Sequence, residues 1–160
     1  MNIGAVIGGV LAWLLLLFGI LVGSSVLIFV DVVSIVLVIF GGVAFLLQAH
    51  GRKGLALTWM ATKAWLSGNT DQWSASDLHQ AATVCESAAQ GVILIGWIAS
   101  MIGLIQILQN INPDHLDAFG PATAVMVLTI FYALIWKLIF WLPLGRWLKS
   151  QAQGMMEETA

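Results

Sequence analysis

The sequence predicts an all-α membrane protein with four transmembrane helices and short cytoplasmic interfacial helices. Of its 160 residues, 60% are hydrophobic and only 9% are charged, whereas about a quarter of the residues in a soluble domain are charged. Four apolar stretches are long enough to cross a bilayer, which takes about 20 residues of helix. Eight tryptophans and sixteen glycines suit helices that pack closely in lipid and are anchored at its two interfaces.

Four predicted spans organise the chain. They cover about residues 4–22, 32–48, 91–108 and 121–142. The first begins without a basic residue and is too long for a cleaved signal peptide, so we expect it to be retained. Pro121 suits the first turn of the fourth span, where its missing N–H costs nothing. We expect residues 1–150 to form a single membrane domain and residues 151–160 to form a flexible tail.

Charge predicts the orientation. Basic residues follow the second and fourth spans, whereas the predicted outer side carries only Asp31, Asp114, His115 and Asp117. The positive-inside rule then places both termini and residues 51–90 in the cytoplasm.

The cytoplasmic segment, residues 51–90, predicts two helices. Bulky apolar and basic residues alternate from Arg52 to Leu66, which indicates a helix lying along the inner membrane surface. The residues Ser67 to Asn69 should end it. A second helix should begin near Ser74 or Ser76 and run through Glu86 into the third span.

Residue patterns argue against several functions. No nucleophile–base pair, phosphate-binding loop or cofactor motif occurs, so we expect neither an enzyme nor a cofactor. His79 and Cys85 lie six residues apart and do not share a helix face, so no metal site is expected. The formal net charge of −2 gives no basic surface for nucleic acid.

Small and weakly polar residues recur at helical spacing in the third and fourth spans. They form two narrow faces, made of Gly96, Ser100 and Gly103, and of Ala122, Val125, Thr129 and Ala133. Small residues let membrane helices approach closely. We therefore assign Gly96, Gly103, Pro121, Ala122 and Ala133 to helix–helix interfaces. These faces could either pack within one subunit or line a central hole that holds other helices.

The spans carry no carboxylate near mid-membrane. Proton translocation needs a group that binds and releases the proton, so another chain would have to supply it. Ser100 and Thr129 are the candidate hydroxyls of an ion pathway. The alternative is that both donate to carbonyls of their own helix, which is common.

Two charged residues, Asp31 just before the second span and Lys137 within the fourth, have two readings each. Asp31 could cap the second span or attract cations at the outer entrance. Lys137 could extend toward the cytoplasmic interface or form an ion pair with Glu86 near the inner end of the third span.

Three blocks, in order, resemble the MotA/PomA stator subunits and their relatives ExbB and TolQ. They comprise Gly23, Ser25, Phe29, Asp31, Ser34, Gly41 and Gly42; then Gly96, Met101, Gly103 and Leu104; then GPATAV with Thr129, Tyr132 and Pro143. The resemblance implies a homo-oligomeric ring, typically a pentamer, in the bacterial inner membrane. The ring would enclose a single-span partner with an intramembrane Asp, such as MotB, ExbD or TolR. It adds Tyr132 to the candidate ion pathway and makes Asp31 a candidate outer entrance or partner contact.

The chain departs from the family in its cytoplasmic part. Relatives carry a large domain between the second and third spans, where this chain has only about forty residues. The expected function is therefore a ring-forming subunit of an ion-driven motor or force-transducing complex, and not flagellar rotation. Protons are favoured because Val33 and Ile130 stand where sodium-driven relatives have Thr. The alternative is a non-conducting scaffold ring of an envelope complex.

Overall fold

The computed structural model describes residues 3–23, 26–109 and 119–158, and within these ranges it contains helices and turns but no strand. The elements are α1 (Ile3–Gly23), a 3₁₀ turn (Val26–Phe29), α2 (Val32–Ser67), α3 (Ala75–Gln109), α4 (Phe119–Trp136), a π turn (Lys137–Trp141) and α5 (Leu142–Glu158). The predicted all-helical class is confirmed. The predicted outer-loop residues Asp114, His115 and Asp117 lie outside the described ranges.

Three helical stretches are long and apolar enough to cross a membrane: Leu27–Ser67, Ala75–Gln109 and Phe119–Glu157. They contain the second, third and fourth predicted spans. The apolar stretch Ile7–Val22 in α1 is shorter, so the prediction of four spans is not confirmed. Most of the described side chains of α1 are exposed, and its main contact is with the 3₁₀ turn.

Helix α2 breaks at Gly51. Its φ of 63° and ψ of −165° are non-helical and lie in a region that is open essentially to glycine alone. Before the break, α2 packs antiparallel along α3. After it, Gly54 lies against Val84, and the Trp65 ring meets Phe140 edge-on at a centroid distance of 6.3 Å. The second half of α2 therefore turns across the bundle.

The two helices of the predicted cytoplasmic segment end and begin where the sequence predicts. Gly68 adopts the left-handed conformation with a φ of 69°, and its N–H donates to the carbonyl of Ala64, which closes α2. Ser74 starts α3: its hydroxyl accepts from the N–H of Asp77, whose carboxylate accepts from the N–H of Ser74. This reciprocal pair is a capping box.

The buried core centres on α3, which packs against α2, α4 and α5. Its first half presents mostly alanine and other small side chains to its neighbours, so the helices approach closely. The fully buried positions there include Leu78, Ala82, Cys85 and Ala88, together with Leu144, Leu148 and Ala152 of α5. This core lies toward the predicted cytoplasmic end of the bundle.

The chain continues from α4 into α5 through the π turn. The N–H of Leu142 donates to the carbonyl of Lys137, one residue further back than in an α-helix. Pro143 follows at once. In a regular helix its ring would clash with the carbonyl of Ile139, and a widened turn relieves such a clash.

The flexibility of the predicted tail stays a prediction, but the structure describes its residues 151–158. These residues form the last turns of α5. Ala152 is buried, and Met155 packs against the core. Apolar contact with the start of α3 extends the helix beyond the point at which its polar composition suggested an end.

Candidate functional site

Several described polar groups cluster where α2, α3 and α4 meet. Asp31 starts this cluster as the N-cap of α2. Its carboxylate accepts from the N–H of Ser34 at 3.0 Å, which satisfies one of the free N–H groups of the first turn. The predicted capping role of Asp31 is thus present. A role at an outer entrance stays a prediction.

Tyr132 joins α4 to the segment before α2. Its hydroxyl donates to the carbonyl of Phe29 and accepts from the N–H of Asp31 at 2.9 Å. The rings of Phe29 and Phe131 lie 6.2 Å apart beside this contact. Tyr132 therefore holds the backbone on both sides of Val30, and through it the position of the Asp31 carboxylate.

One turn deeper, two hydroxyls meet across the α2–α4 interface. The Oγ of Ser34 and the Oγ1 of Thr129 lie 2.7 Å apart, and Thr129 also approaches the carbonyl of Val125 at 3.1 Å. Because both hydroxyls are buried, a hydrogen bond between them avoids leaving polar atoms unsatisfied. The own-helix bond predicted as the alternative role for Thr129 is present.

Ser100 bridges α3 and α4 instead of bonding to its own helix. Its hydroxyl donates to the carbonyl of Met126 at 2.7 Å. Ser100 is 0% exposed and Thr129 is 4% exposed, so within a single chain both face protein. The three residues assigned to an ion pathway, Ser100, Thr129 and Tyr132, are thus held in hydrogen bonds inside the subunit. Their role toward ions stays a prediction.

The small faces of α3 and α4 meet each other. Gly96 packs on Ala133 so closely that a Cβ at position 96 would lie 2.5 Å from the Ala133 Cβ. Gly103 is less confined, with Met126 the nearest neighbour of such a Cβ at 3.8 Å. Ala122 is half-buried and Pro121 is exposed near the start of α4. The structure therefore brings Gly96 and Ala133 into one tight interface within the subunit.

The chain is similar to Motility protein A of Aquifex aeolicus (strain VF5). The two sequences are 25% identical over 212 aligned positions, which include 94% of this chain and 83% of that protein. Since 212 positions exceed the 160 residues of this chain, the relative has residues without a counterpart here. No family model matches the sequence.

The predicted pair of Glu86 and Lys137 is not formed in the described structure. Glu86 instead binds Lys149 of α5, with 2.5 Å between the charged atoms. The reason is that α5 continues past Pro143 along α3, which carries Lys149 to the level of Glu86. Both side chains are about half exposed, so this pair contributes little to stability. Lys137 is half-buried at the first position of the π turn.

Ser34 and three backbone carbonyls, those of Phe29, Val125 and Met126, were not assigned to the site from sequence. Ser34 is the partner of Thr129, and the carbonyl of Phe29 is the acceptor for Tyr132. A signal for Ser34 existed. It is a lone hydroxyl in an apolar stretch of helix, three residues after the capping Asp31. Residues three apart are neighbours on the helix surface, so Ser34 lies one turn below the cap. Nothing in the sequence pointed to a backbone carbonyl.

Proposed function

We propose that this chain is the ring-forming subunit of an ion-driven membrane complex. In this proposal identical copies, five by analogy with MotA-type proteins, surround a single-span partner in a bacterial inner membrane, with both termini in the cytoplasm. Proton flow past the partner would drive motion or force. The observation that carries the proposal is the similarity to Motility protein A over 94% of this chain.

The helical surfaces support an assembly. Along α3 an exposed apolar stripe runs on the side away from α2 and α4, comprising Leu94, Trp97, Ile98, Met101, Ile105 and Leu108. Gly96 and Ala133 pack against each other within the chain, so around this contact neighbours and a partner would be met by larger apolar side chains. Such surfaces are normal against lipid and against other membrane helices.

The partner is needed because it would supply an acidic side chain inside the membrane. The predicted spans 32–48, 91–108 and 121–142 contain no Asp or Glu. Titration at mid-membrane requires such a group. A single-span partner with an intramembrane Asp would supply it. The short segment between α2 and α3 argues against a flagellar rotor as the object that is moved.

A passive scaffold ring is the second candidate. It is favoured by the polar cluster, because Ser34, Ser100 and Thr129 already satisfy one another or a backbone carbonyl. Hydroxyls engaged in this way are not free to replace the hydration of a passing cation. In this reading the cluster serves only to fix the helices.

The test is reconstitution. The chain would be co-expressed with a single-span protein that carries an intramembrane Asp, and purified in mild detergent. Mass measurement and particle imaging should show a closed ring around the partner helices. In proteoliposomes with an internal pH dye, an imposed potential should drive proton uptake, and an Asp→Asn partner variant should abolish it.

The outcomes separate the candidates. A ring that contains the partner but shows no flux above the Asp→Asn control supports the scaffold. A strictly monomeric chain that binds no single-span protein overturns both. Uptake that requires sodium instead of protons would keep the motor and overturn the choice of ion.

A further inference from the structure

The second half of α2, residues 52–67, has two different sides. Toward the bundle it presents small residues, and Gly54, Thr58, Ala61 and Ala64 are all buried. These positions recur at helical spacing and let the helix lie close to its neighbours. This side is therefore fully explained by packing within the subunit.

The opposite side combines large apolar residues with positive charge. Trp59, Met60 and Leu66 are 63%, 56% and 73% exposed, and they share this side with the exposed Arg52 and Lys63. We call these five residues the basic face. The Nζ of Lys63 lies 5.2 Å from the centre of the Trp59 ring, which holds a cation directly over the aromatic surface.

The charge of this helix is one-sided. Residues 52–67 include Arg52, Lys53 and Lys63 and no Asp or Glu. Each of the three is exposed, and none has an acidic partner among the described residues. Glu86 forms its ion pair with Lys149 of α5 and not with any of these three basic residues. The positive charge of the basic face is thus available to an external anion.

The break at Gly51 sets the position of this helix. The predicted second span ends just before the break, and the residues that follow turn across the bundle to bring Trp65 to Phe140. A helix so placed at the end of a span lies at the level of the lipid headgroups. Trp and Lys are the residues that favour this level, because the ring stays in the apolar boundary while the charge reaches water and phosphate.

We propose that the basic face binds anionic phospholipid headgroups of the leaflet into which α2 emerges. Trp59, Met60 and Leu66 would enter the acyl boundary, and Arg52 and Lys63 would contact the phosphates. This inference requires only that the long helices cross a bilayer. It does not depend on ion flow or on a ring.

A zwitterionic surface would satisfy the apolar side chains equally well, but not the uncompensated charge. A second copy of the chain would have to supply acidic residues. Apart from Glu86, which binds Lys149, the exposed acidic side chains of the described residues are Asp71, Asp77 and Glu157. Charge complementarity therefore favours anionic lipid, whose surface attraction strengthens with every nearby Lys or Arg.

Native mass spectrometry of the purified chain tests lipid choice. Micelles would contain equal amounts of phosphatidylglycerol and phosphatidylcholine. We expect preferential retention of phosphatidylglycerol, with about fivefold weaker preference for each charge removed in Arg52→Gln and Lys63→Gln. Lys63→Arg should keep the preference. Arg146→Gln, which removes an exposed charge from α5, is the matched control and should leave it unchanged.

Fluorescence tests whether the face meets the bilayer. In liposomes with lipids brominated near the headgroup, the difference in emission between the wild type and Trp59→Phe should be strongly quenched. Circular dichroism would verify that the variants fold. Equal retention of both lipids by the wild type, an effect of Arg146→Gln as large as that of Lys63→Gln, or an unquenched Trp59 would each overturn the proposal. Cross-linking of the basic face to a second copy would do so too.

Discussion

The hydroxyl of Tyr132 is hydrogen-bonded to the backbone on both sides of Val30, through the carbonyl of Phe29 and the N–H of Asp31. A residue of α4 thereby positions the N-cap of α2, about a hundred positions earlier in the chain. The cap in turn fixes the first turn of α2, which carries Ser34 to Thr129. The polar cluster is therefore built as one connected unit.

Replacing Tyr132 by Phe should destabilise the subunit. The change keeps the ring but leaves a carbonyl and an N–H without their partner, at a cost of about 1–3 kcal/mol. Thermal unfolding in detergent should show a lower midpoint. Thr123→Ala is the control, since that hydroxyl bonds only to the Phe119 carbonyl of its own helix. Equal midpoints for both variants would contradict a tethering role.

The cap and the charge of Asp31 can be separated. Asp31→Asn keeps an oxygen that can accept from the Ser34 N–H, so stability should be preserved, whereas Asp31→Ala should lose about 1 kcal/mol. Proton uptake by the reconstituted complex then reports on the charge alone. Full uptake by a stable Asn variant would refute a role at the outer entrance.

The contact between Ser34 and Thr129 should appear as coupling. In a double-mutant cycle with Ser34→Ala and Thr129→Val, we expect the two hydroxyls to be coupled by about 0.6 kcal/mol and at most about 1.7 kcal/mol, the range of hydrogen bonds between membrane helices. The free energy of unfolding of all four forms would be measured in one detergent. Strict additivity would show that the hydroxyls act independently.

Gly96 and Gly103 should respond differently to added bulk. Gly96→Ala forces a Cβ into Ala133 and should cost about 1–3 kcal/mol by overpacking. A Cβ at position 103 would meet only Met126, at 3.8 Å, so we expect Gly103→Leu to fold. If Gly103 approaches partner helices, this variant should lose co-purification of the partner. Normal co-purification would confine Gly103 to packing within the subunit.

Gly51→Ala tests the break in α2. An alanine at position 51 must adopt a backbone conformation that costs about 1–3 kcal/mol for any residue other than glycine. Otherwise α2 must straighten and lose the packing of residues 52–67. Either way the unfolding midpoint falls. Gly154→Ala is the matched control, because a Cβ there meets open space within helix α5 and should be neutral or mildly stabilising. A stable Gly51→Ala variant would argue against the break.

The local features of the fold could be predicted because they are encoded by neighbouring residues. Asp31, Ser74 and Gly68 each act within four positions of themselves, so the caps and the helix boundaries follow from the sequence. The long apolar stretches set three of the spans in the same way. The all-helical class needed no tertiary information.

The partners of the site residues depend on how helices align, and this the sequence does not reveal. A pair of Glu86 with Lys137 was one of two alternatives for Lys137, and it rested on a fourth span that ends near residue 142. The actual partner of Glu86, Lys149, comes within reach only because α5 continues beyond Pro143. Likewise, the small faces were known from spacing, but their use inside the subunit follows from the contact of Gly96 with Ala133.

The π turn determines how α5 is rotated about the helix axis relative to α4. One surplus residue in a turn rotates the succeeding helix by about 100°. With that offset, Leu144, Leu148 and Ala152 point in the same direction as Thr129 and Ala133, so a single ridge of α3 serves both halves. Deleting one residue from Lys137–Trp141 would restore α-helical spacing in this turn. It would also rotate Leu144 and Leu148 away from their buried positions against α3. The π turn therefore allows α4 and α5 to pack against the same side of α3.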